Sequence, residues 1–301
     1  MTDLLSETLA TVPDPEPAPS AAMKKRLGFG AWFCLVWLGA MIVVAIVAPY
    51  LGLDEASDFE LKGQPPFWDG HLLGGDGLGR DLFNRILLAT RASIFVSFSA
   101  ILIGTLVGGF LGLISGYFKN RAARALGSVF DILLAYPPVV LALTLVSVFA
   151  TDPSGSGLQR EIVVIIALAI VSVPILARIT RANTLVWADR EFVHAAEAMG
   201  ASKWRILFRE ILPNVLPAML AFALLGVAVA IVAESALSVL AVGLKADTPS
   251  WGNIISEGRE DLPTSPHIVF SASAFLFLTV LSLNYLGDVI RARFDVKESA
   301  L

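Results

Sequence analysis

Residues 214–244 read NVLPAMLAFALLGVAVAIVAESALSVLAVGL, an apolar stretch in which Glu234 is the only ionisable side chain. A helix that crosses a bilayer needs about 20 mostly apolar residues. A membrane β-strand needs only about ten, with apolar and polar residues alternating. The stretch is continuous and long, so it reads as a spanning helix. Five further runs share its character: 29–50, 92–118, 126–151 (interrupted by Asp131), 162–177 and 268–287. The whole chain has 301 residues, of which 56% are hydrophobic and 16% charged. An average soluble domain is about 25% charged, so too little charge is present to cover a soluble surface of this size. A formal net charge of −4 leaves no nucleic-acid footprint. Cys34, the single cysteine, cannot form an internal disulfide. The chain therefore reads as an all-α polytopic membrane protein with six transmembrane helices.

Basic residues set the orientation. The N-terminus, the second–third and fourth–fifth loops and the C-terminus hold 15 of the 22 lysines and arginines, and the other three loops hold 7. The positive side is cytoplasmic, which predicts both termini inside. The first run is too long for a signal-peptide core, so it reads as a retained span. Residues 1–22 carry four prolines and four acids and no basic residue, and read as a disordered cytoplasmic tail. The organisation expected is a tail (1–22), a first span with an outer loop (23–92), a five-helix core (93–293) with a cytoplasmic loop at 178–213, and a C-terminal tail (294–301).

Several spans carry features beyond apolarity. Gly104, Gly108, Gly112 and Gly116 recur every four residues, which puts them on one helix face. Such a stripe lets another helix approach backbone to backbone, either as static packing or as a sliding contact. Pro137, Pro138 and Pro174 predict kinks in the third and fourth spans. Glu234, followed by Ser235, reads either as a group lining a path or as a tie to a neighbouring helix.

The 178–213 loop reads as two short helices. The first, through His194, Ala195, Ala196 and Glu197, is stopped by Gly200 and followed by Ala201. Ser202 caps a second that begins at Lys203 and runs to Leu212, with Pro213 opening the fifth span. On the other side, 72–85 combines glycine turns with Asp76, Arg80, Asp81 and Arg85, and Leu78, Leu82, Ile86 and Leu87 form an apolar face that predicts an interfacial helix.

The order of these residues resembles a known family. Ala195-Ala196 followed by Gly200 and by Leu212-Pro213 is similar to the "EAA" loop of ABC importer permeases. His194 departs from the consensus glutamate there, and Glu210 stands at an isoleucine position. Residues 72–85, with Gly79-Arg80-Asp81 and Arg85, look like the segment after the first span in DppC/OppC-type peptide permeases, with Gly75 in place of threonine and Asn84 in place of serine. Pro249-Ser250-Trp251-Gly252-Asn253 and Ala233-Glu234-Ser235-Ala236-Leu237-Ser238 are similar to further motifs of the same family. The resemblance runs from Lys24 to Arg293.

It implies the type I ABC importer permease fold, in a bacterial inner membrane, as half of a translocation pathway for di- or oligopeptides. It implies a coupling helix at His194–Lys203 and an outer gate around Asp76–Arg85 and Trp251–Asn253. The partners implied are a homologous second permease, two ABC ATPase subunits, an extracytoplasmic substrate-binding protein and membrane lipid. ATP and Mg would be bound by the ATPases, with no cofactor on this chain. The sequence has no Walker A motif, no HExxH and no G-x-S-x-G, which predicts a non-catalytic transport subunit. Related nickel or haem-type importers are the alternative within the class. An ion-coupled secondary transporter is the alternative outside it.

Overall fold

The computed structural model describes residues 28–53, 56–118, 120–150, 159–245 and 247–298. Residues 1–22 and the basic triplet at 24–26 lie outside these. Ten helices follow in order: α1 Phe29–Val47, α2 Leu82–Tyr117, α3 Arg121–Leu134, α4 Pro138–Phe149, α5 Arg160–Ala188, α6 Glu191–Ala198, α7 Lys203–Ile206, α8 Leu212–Val239, α9 Trp251–Gly258 and α10 His267–Glu298. Among the described residues there is no strand. Five rods are long and apolar enough to cross a membrane, and α3 with α4 supplies a sixth as a broken span. We call the end bearing 56–85 and α9 the upper end, and the end bearing α6 and α7 the lower end.

Six sequence expectations change. The predicted interfacial helix is not a separate element: α2 starts at Leu82 and runs without a break for 36 residues. At about 1.5 Å per residue this is about 54 Å, well beyond a hydrocarbon core of about 30 Å. Nothing between Leu82 and the apolar run breaks a helix, and Asp81 caps its start by accepting from the Asn84 N–H at 2.8 Å. Leu78 lies before the helix and is exposed, whereas Leu82 and Ile86 are fully buried.

The third span is not one helix. α3 ends at Leu134, and α4 leaves at 88° to it. Pro137 and Pro138 lack the N–H groups that would carry the helix through, and Pro137 takes an extended ψ of 125°. Asp131 is not buried inside a span. It is exposed on α3, with a carboxylate oxygen 4.0 Å from Arg178 Nη1.

The fourth span is longer than 162–177. α5 continues to Ala188, so Arg178 and Arg181 sit on the helix and the lower loop begins at Asp189. The short helix after Ser202 does not stop at Leu212 either. α7 passes through a π-turn, Leu207–Ile211, directly into α8. Pro213 causes the widening, because its ring would collide with the carbonyl of Arg209 in regular α geometry. The Leu212 N–H bonds Leu207 O instead, and Asn214 Nδ2 donates to Glu210 O at 2.6 Å. At the other end α8 stops at Val239, short of residue 244, where Ala241 adopts φ 60°. The last helix continues to Glu298, through most of what composition marks as a tail.

The glycine stripe faces α5. A Cβ at Gly108 would lie 2.6 Å from Val173 O, one at Gly112 2.5 Å from Ala177 O, and one at Gly116 2.7 Å from Thr184 Cβ. A Cβ at Gly104 would overlap Ser172 Oγ. Any side chain on this stripe would force the two helices apart, so α2 and α5 meet backbone to backbone. Three apolar clusters complete the core. The upper one joins Leu82, Ile86, Ile231, Trp251, Ile254 and Ile268. A middle one joins Val96, Ala100, Val146, Val164 and Leu237. The lower one joins Leu113, Trp187, Val193, Ile206, Ile211 and Val215.

Candidate functional site

At the upper end, the charged motif residues are inside the protein. Asp76 and Arg85 are each only 2% exposed. Asp76 Oδ1 accepts from the N–H groups of Leu78 and Arg80 at 2.8 and 2.9 Å. Its Oδ2 accepts from Arg80 Nε at 2.7 Å and from Arg85 Nη1 at 2.9 Å. Glu257, on α9, closes the network, with Oε2 2.8 Å from Arg80 Nη2 and Oε1 2.9 Å from Arg85 Nη2. Two guanidinium groups thus meet two carboxylates in a charge-assisted network whose Asp76–Arg85 half is buried. Gly79 makes the turn possible by adopting φ +78°, with its backbone against Asp58. Asp81 caps α2 and its other oxygen pairs with His71 Nδ1. Ser265 Oγ donates to Gly63 O at 3.1 Å, and His267 Nε2 sits 3.2 Å from Gly75 O, so the loop is also tied to the start of α10.

The second upper motif places α9. Ser250 caps it, accepting from the Asn253 N–H at 3.1 Å. Asn253 Nδ2 donates to Lys245 O and Thr248 O at 2.8 and 2.9 Å, closing the preceding loop. Trp251 is fully buried, and its N–H donates to Ser93 Oγ on α2 at 3.1 Å. Gly252 lets α9 lie on α8, since a Cβ there would fall 2.6 Å from Ser235 Cα. Glu234 is wholly buried beneath this contact. Ser238 Oγ donates to its Oε1 at 3.0 Å and Ser235 Oγ reaches Oε2 at 3.5 Å. Both of these bonds run along α8 itself.

At the lower end the motif residues face outward. On α6, Val193 and Ala196 turn into the lower cluster, while His194, Ala195 and Glu197 are exposed. The alanine pair is therefore divided, one residue in the core and the other on the surface. Glu197 accepts from the Tyr117 hydroxyl at 3.2 Å and lies 3.8 Å from His194 Nδ1. Helix α6 ends in a Schellman motif. The Gly200 N–H bonds Glu197 O at 2.9 Å, and the Ala201 N–H bonds Ala196 O at 3.0 Å, with Gly200 at φ +79°. Ser202 caps α7 by accepting from the Arg205 N–H at 3.4 Å, and Lys203 is exposed beside it.

Glu257 is not among the residues that the sequence singles out, although it pairs with both arginines. The available signal was two arginines in an otherwise apolar region, which need counter-charges. Sequence reasoning also gave no role to Ser238, which lies one turn along α8 from Glu234 and donates to it. The residues expected to form an outer gate and those expected to couple to an ATPase lie at opposite ends of the molecule. Gly104 to Gly116 run along α2 between those ends. No cluster of His, Cys, Asp and Glu suited to a metal ion occurs among the described residues.

Comparison with known proteins places this architecture. The family model described as "Binding-protein-dependent transport system inner membrane component" matches residues 108–298. The chain belongs to this family, and it is a membrane-embedded permease subunit of an ABC importer. It is 36% identical over 260 residues to the glutathione transport system permease protein GsiD of Pectobacterium atrosepticum, covering 85% of this chain and 83% of that protein. The GsiD protein of Escherichia coli O157:H7 is likewise 36% identical, over 261 residues. Among solved structures, the MetNI methionine ABC transporter in an inward-facing form aligns with TM-score 0.57 at 18% identity, over 70% of this chain and 95% of that chain. An amino acid ABC transporter with histidines aligns with TM-score 0.54 at 17% identity, over 70% and 94%. At these identities the structural matches speak to the fold.

Proposed function

We propose that this permease forms half of a translocation pathway for short peptides, with glutathione-sized tripeptides the leading substrate class. Its other half would be a homologous second permease. A pair of separate ATPase subunits would hydrolyse ATP, and an extracytoplasmic binding protein would deliver the substrate. The lower end would face the cytoplasm, with both termini on that side, as the excess of basic residues favours. The observation that carries the reading is α6. It is an exposed eight-residue helix, fixed to the bundle by Val193 and Ala196 and ended by a rigid glycine turn. Seated this way, a push on its outer face is transmitted to α5 and, through the π-turn, to α8. The substrate class rests on likeness to the glutathione permeases. ATP-driven closure of the partners would then shift the population between inward- and outward-open states.

The test is reconstitution with the co-expressed partner subunits and binding protein in vesicles. ATP-dependent uptake of labelled glutathione, competed by di- and tripeptides but not by nickel complexes or haem, supports the proposal. Uptake that follows a proton gradient without ATPase subunits would replace it with the ion-coupled carrier.

A further inference from the structure

The loop before α2 carries three exposed aromatic side chains, and the fold holds two of them outward on a rigid turn. Phe59 is 93% exposed, Phe67 79% and Trp68 48%, whereas Leu61 of the same loop is buried. The turn is closed by its own backbone. The Phe67 N–H donates to His71 O at 3.0 Å, and the His71 N–H to Trp68 O at 2.8 Å. Phe67 sits at φ +65° and Asp69 at φ +41°, in the left-handed region that a bulky L-residue rarely adopts. Such strain persists only where the surroundings impose it. Here Pro65 and Pro66 stiffen the chain on entry. On exit the backbone of Gly74 closes against Gln64 O, where a Cβ would lie 2.1 Å away. His71 pairs with Asp81, and the Leu82 N–H bonds Gly74 O at 3.1 Å, so the turn is fastened to the start of α2.

The length of α2 sets the level of this turn. Arg91 is exposed and charged, and below it the exposed face of α2 is apolar, beginning at Phe95 and Phe98. Arg91 therefore marks the edge of the hydrocarbon. Leu82 stands nine residues above it, about 14 Å at about 1.5 Å per residue. The headgroup layer accounts for only about 5–8 Å of that, so the rings are not an aromatic belt at the lipid surface. They stand clear of the bilayer among the exposed carboxylates of Asp58, Glu60 and Asp69, with Lys62 beside them. The charges of Asp76 and Arg85 are turned inward, which leaves the aromatic turn as the outward face of the loop.

We propose that Phe59, Phe67 and Trp68 form a docking face for the extracytoplasmic binding protein, which would meet it with an apolar pocket rimmed by basic side chains. This rests on the permease reading above. The family is described as binding-protein-dependent, and a partner outside the bilayer is what a rigid aromatic face at this height fits. Aromatic anchors carry much of the energy of protein interfaces, and an acidic rim steers a basic partner toward them. Docking there bears on Asp81 and Leu82, the residues that start α2.

The experiment measures binding of the labelled, co-expressed binding protein to the complete complex in lipid nanodiscs. Phe67→Ser/Trp68→Ser should weaken it about tenfold or more, with the thermal midpoint and subunit content unmoved because both side chains are exposed. Phe59→Ser should weaken it less, and Phe67→Tyr/Trp68→Phe should restore wild-type affinity. Added salt should slow association with wild type. Uptake of labelled glutathione by the double serine variant should fall at low binding-protein concentration and recover at saturation. A photo-reactive phenylalanine analogue at position 67 should cross-link to the binding protein. Unchanged affinity overturns the proposal, as does cross-linking to lipid or to the second permease in place of the binding protein. Loss of the second permease from the double serine variant would assign the turn to permease pairing and overturns it too. If wild type shows ATP-dependent uptake and every variant keeps its affinity, the docking face alone fails. If wild type neither binds the binding protein nor shows ATP-dependent uptake, the permease reading fails with it.

Discussion

The upper and lower ends are built on opposite plans, although both carry family motifs. At the upper end the charges of the motif are paired with one another: Asp76 and Arg85 are buried, and Arg80 and Glu257, which are partly exposed, complete the network around them. At the lower end the motif's polar residues are exposed; its backbone turn, Val193 and Ala196 are engaged with the bundle, and Glu197 makes one surface hydrogen bond to Tyr117. A recurring motif can therefore record internal architecture in one place and an outward surface in another. Burial separates the two, and sequence similarity does not.

The largest effect that would break this contrast is at Arg85. Arg85→Ala leaves Asp76 buried with half its counter-charge gone, and breaking such a cluster costs about 3–5 kcal/mol. The expected outcome is loss of folded protein in detergent, measured by size-exclusion recovery and thermal midpoint. Retention of normal stability would mean the upper charges are as dispensable as surface ones. Next is the α2–α5 contact. Gly112→Leu drives a side chain into Ala177 O and Thr180, and should destabilise by about 1–3 kcal/mol from overpacking. A thermal-shift assay would read this.

Gly200 tests the lower end. A Cβ there meets nothing within 4 Å, but φ is +79°, so Gly200→Ala should cost only about 1 kcal/mol of left-handed strain. On the proposed reading, ATP-dependent uptake should nonetheless fall severalfold, and more steeply in Gly200→Trp, with membrane insertion intact. Equal uptake in all three would remove α6 from coupling. The smallest effect is at His194, which is exposed and lies on the surface of α6. His194→Ala should leave the thermal midpoint unmoved, and His194→Glu, which restores the family consensus, should keep or raise uptake. A marked loss of stability in either variant would show that the lower surface is internal architecture after all.

Much of this was legible in sequence. Apolar runs specify spans because every lipid-exposed backbone group must be bonded within its own helix. The glycine spacing specified one face of α2, and Gly200 and Ser202 marked helix boundaries through backbone preferences that are local. The breaks were less legible. Pro137-Pro138 announced a kink, but the 88° turn depends on what α3 and α4 each pack against. The merging of 203–211 with α8 was hidden, because Pro213 reads as a helix start and here produces a π-turn inside a longer rod.

What the sequence determined by itself was class and spans, since these follow from the transfer of side chains to lipid and from hydrogen bonds within single segments. It also determined family, through the order of motifs. Only the tertiary structure decided that α2 meets α5 along the glycine stripe, that Glu257 answers Arg85, and that Ser93 on α2 receives the main-chain N–H of Trp251 on α9. Each of those pairs residues 65 to 172 positions apart. Such contacts depend on how the finished helices pack, and no local preference encodes them.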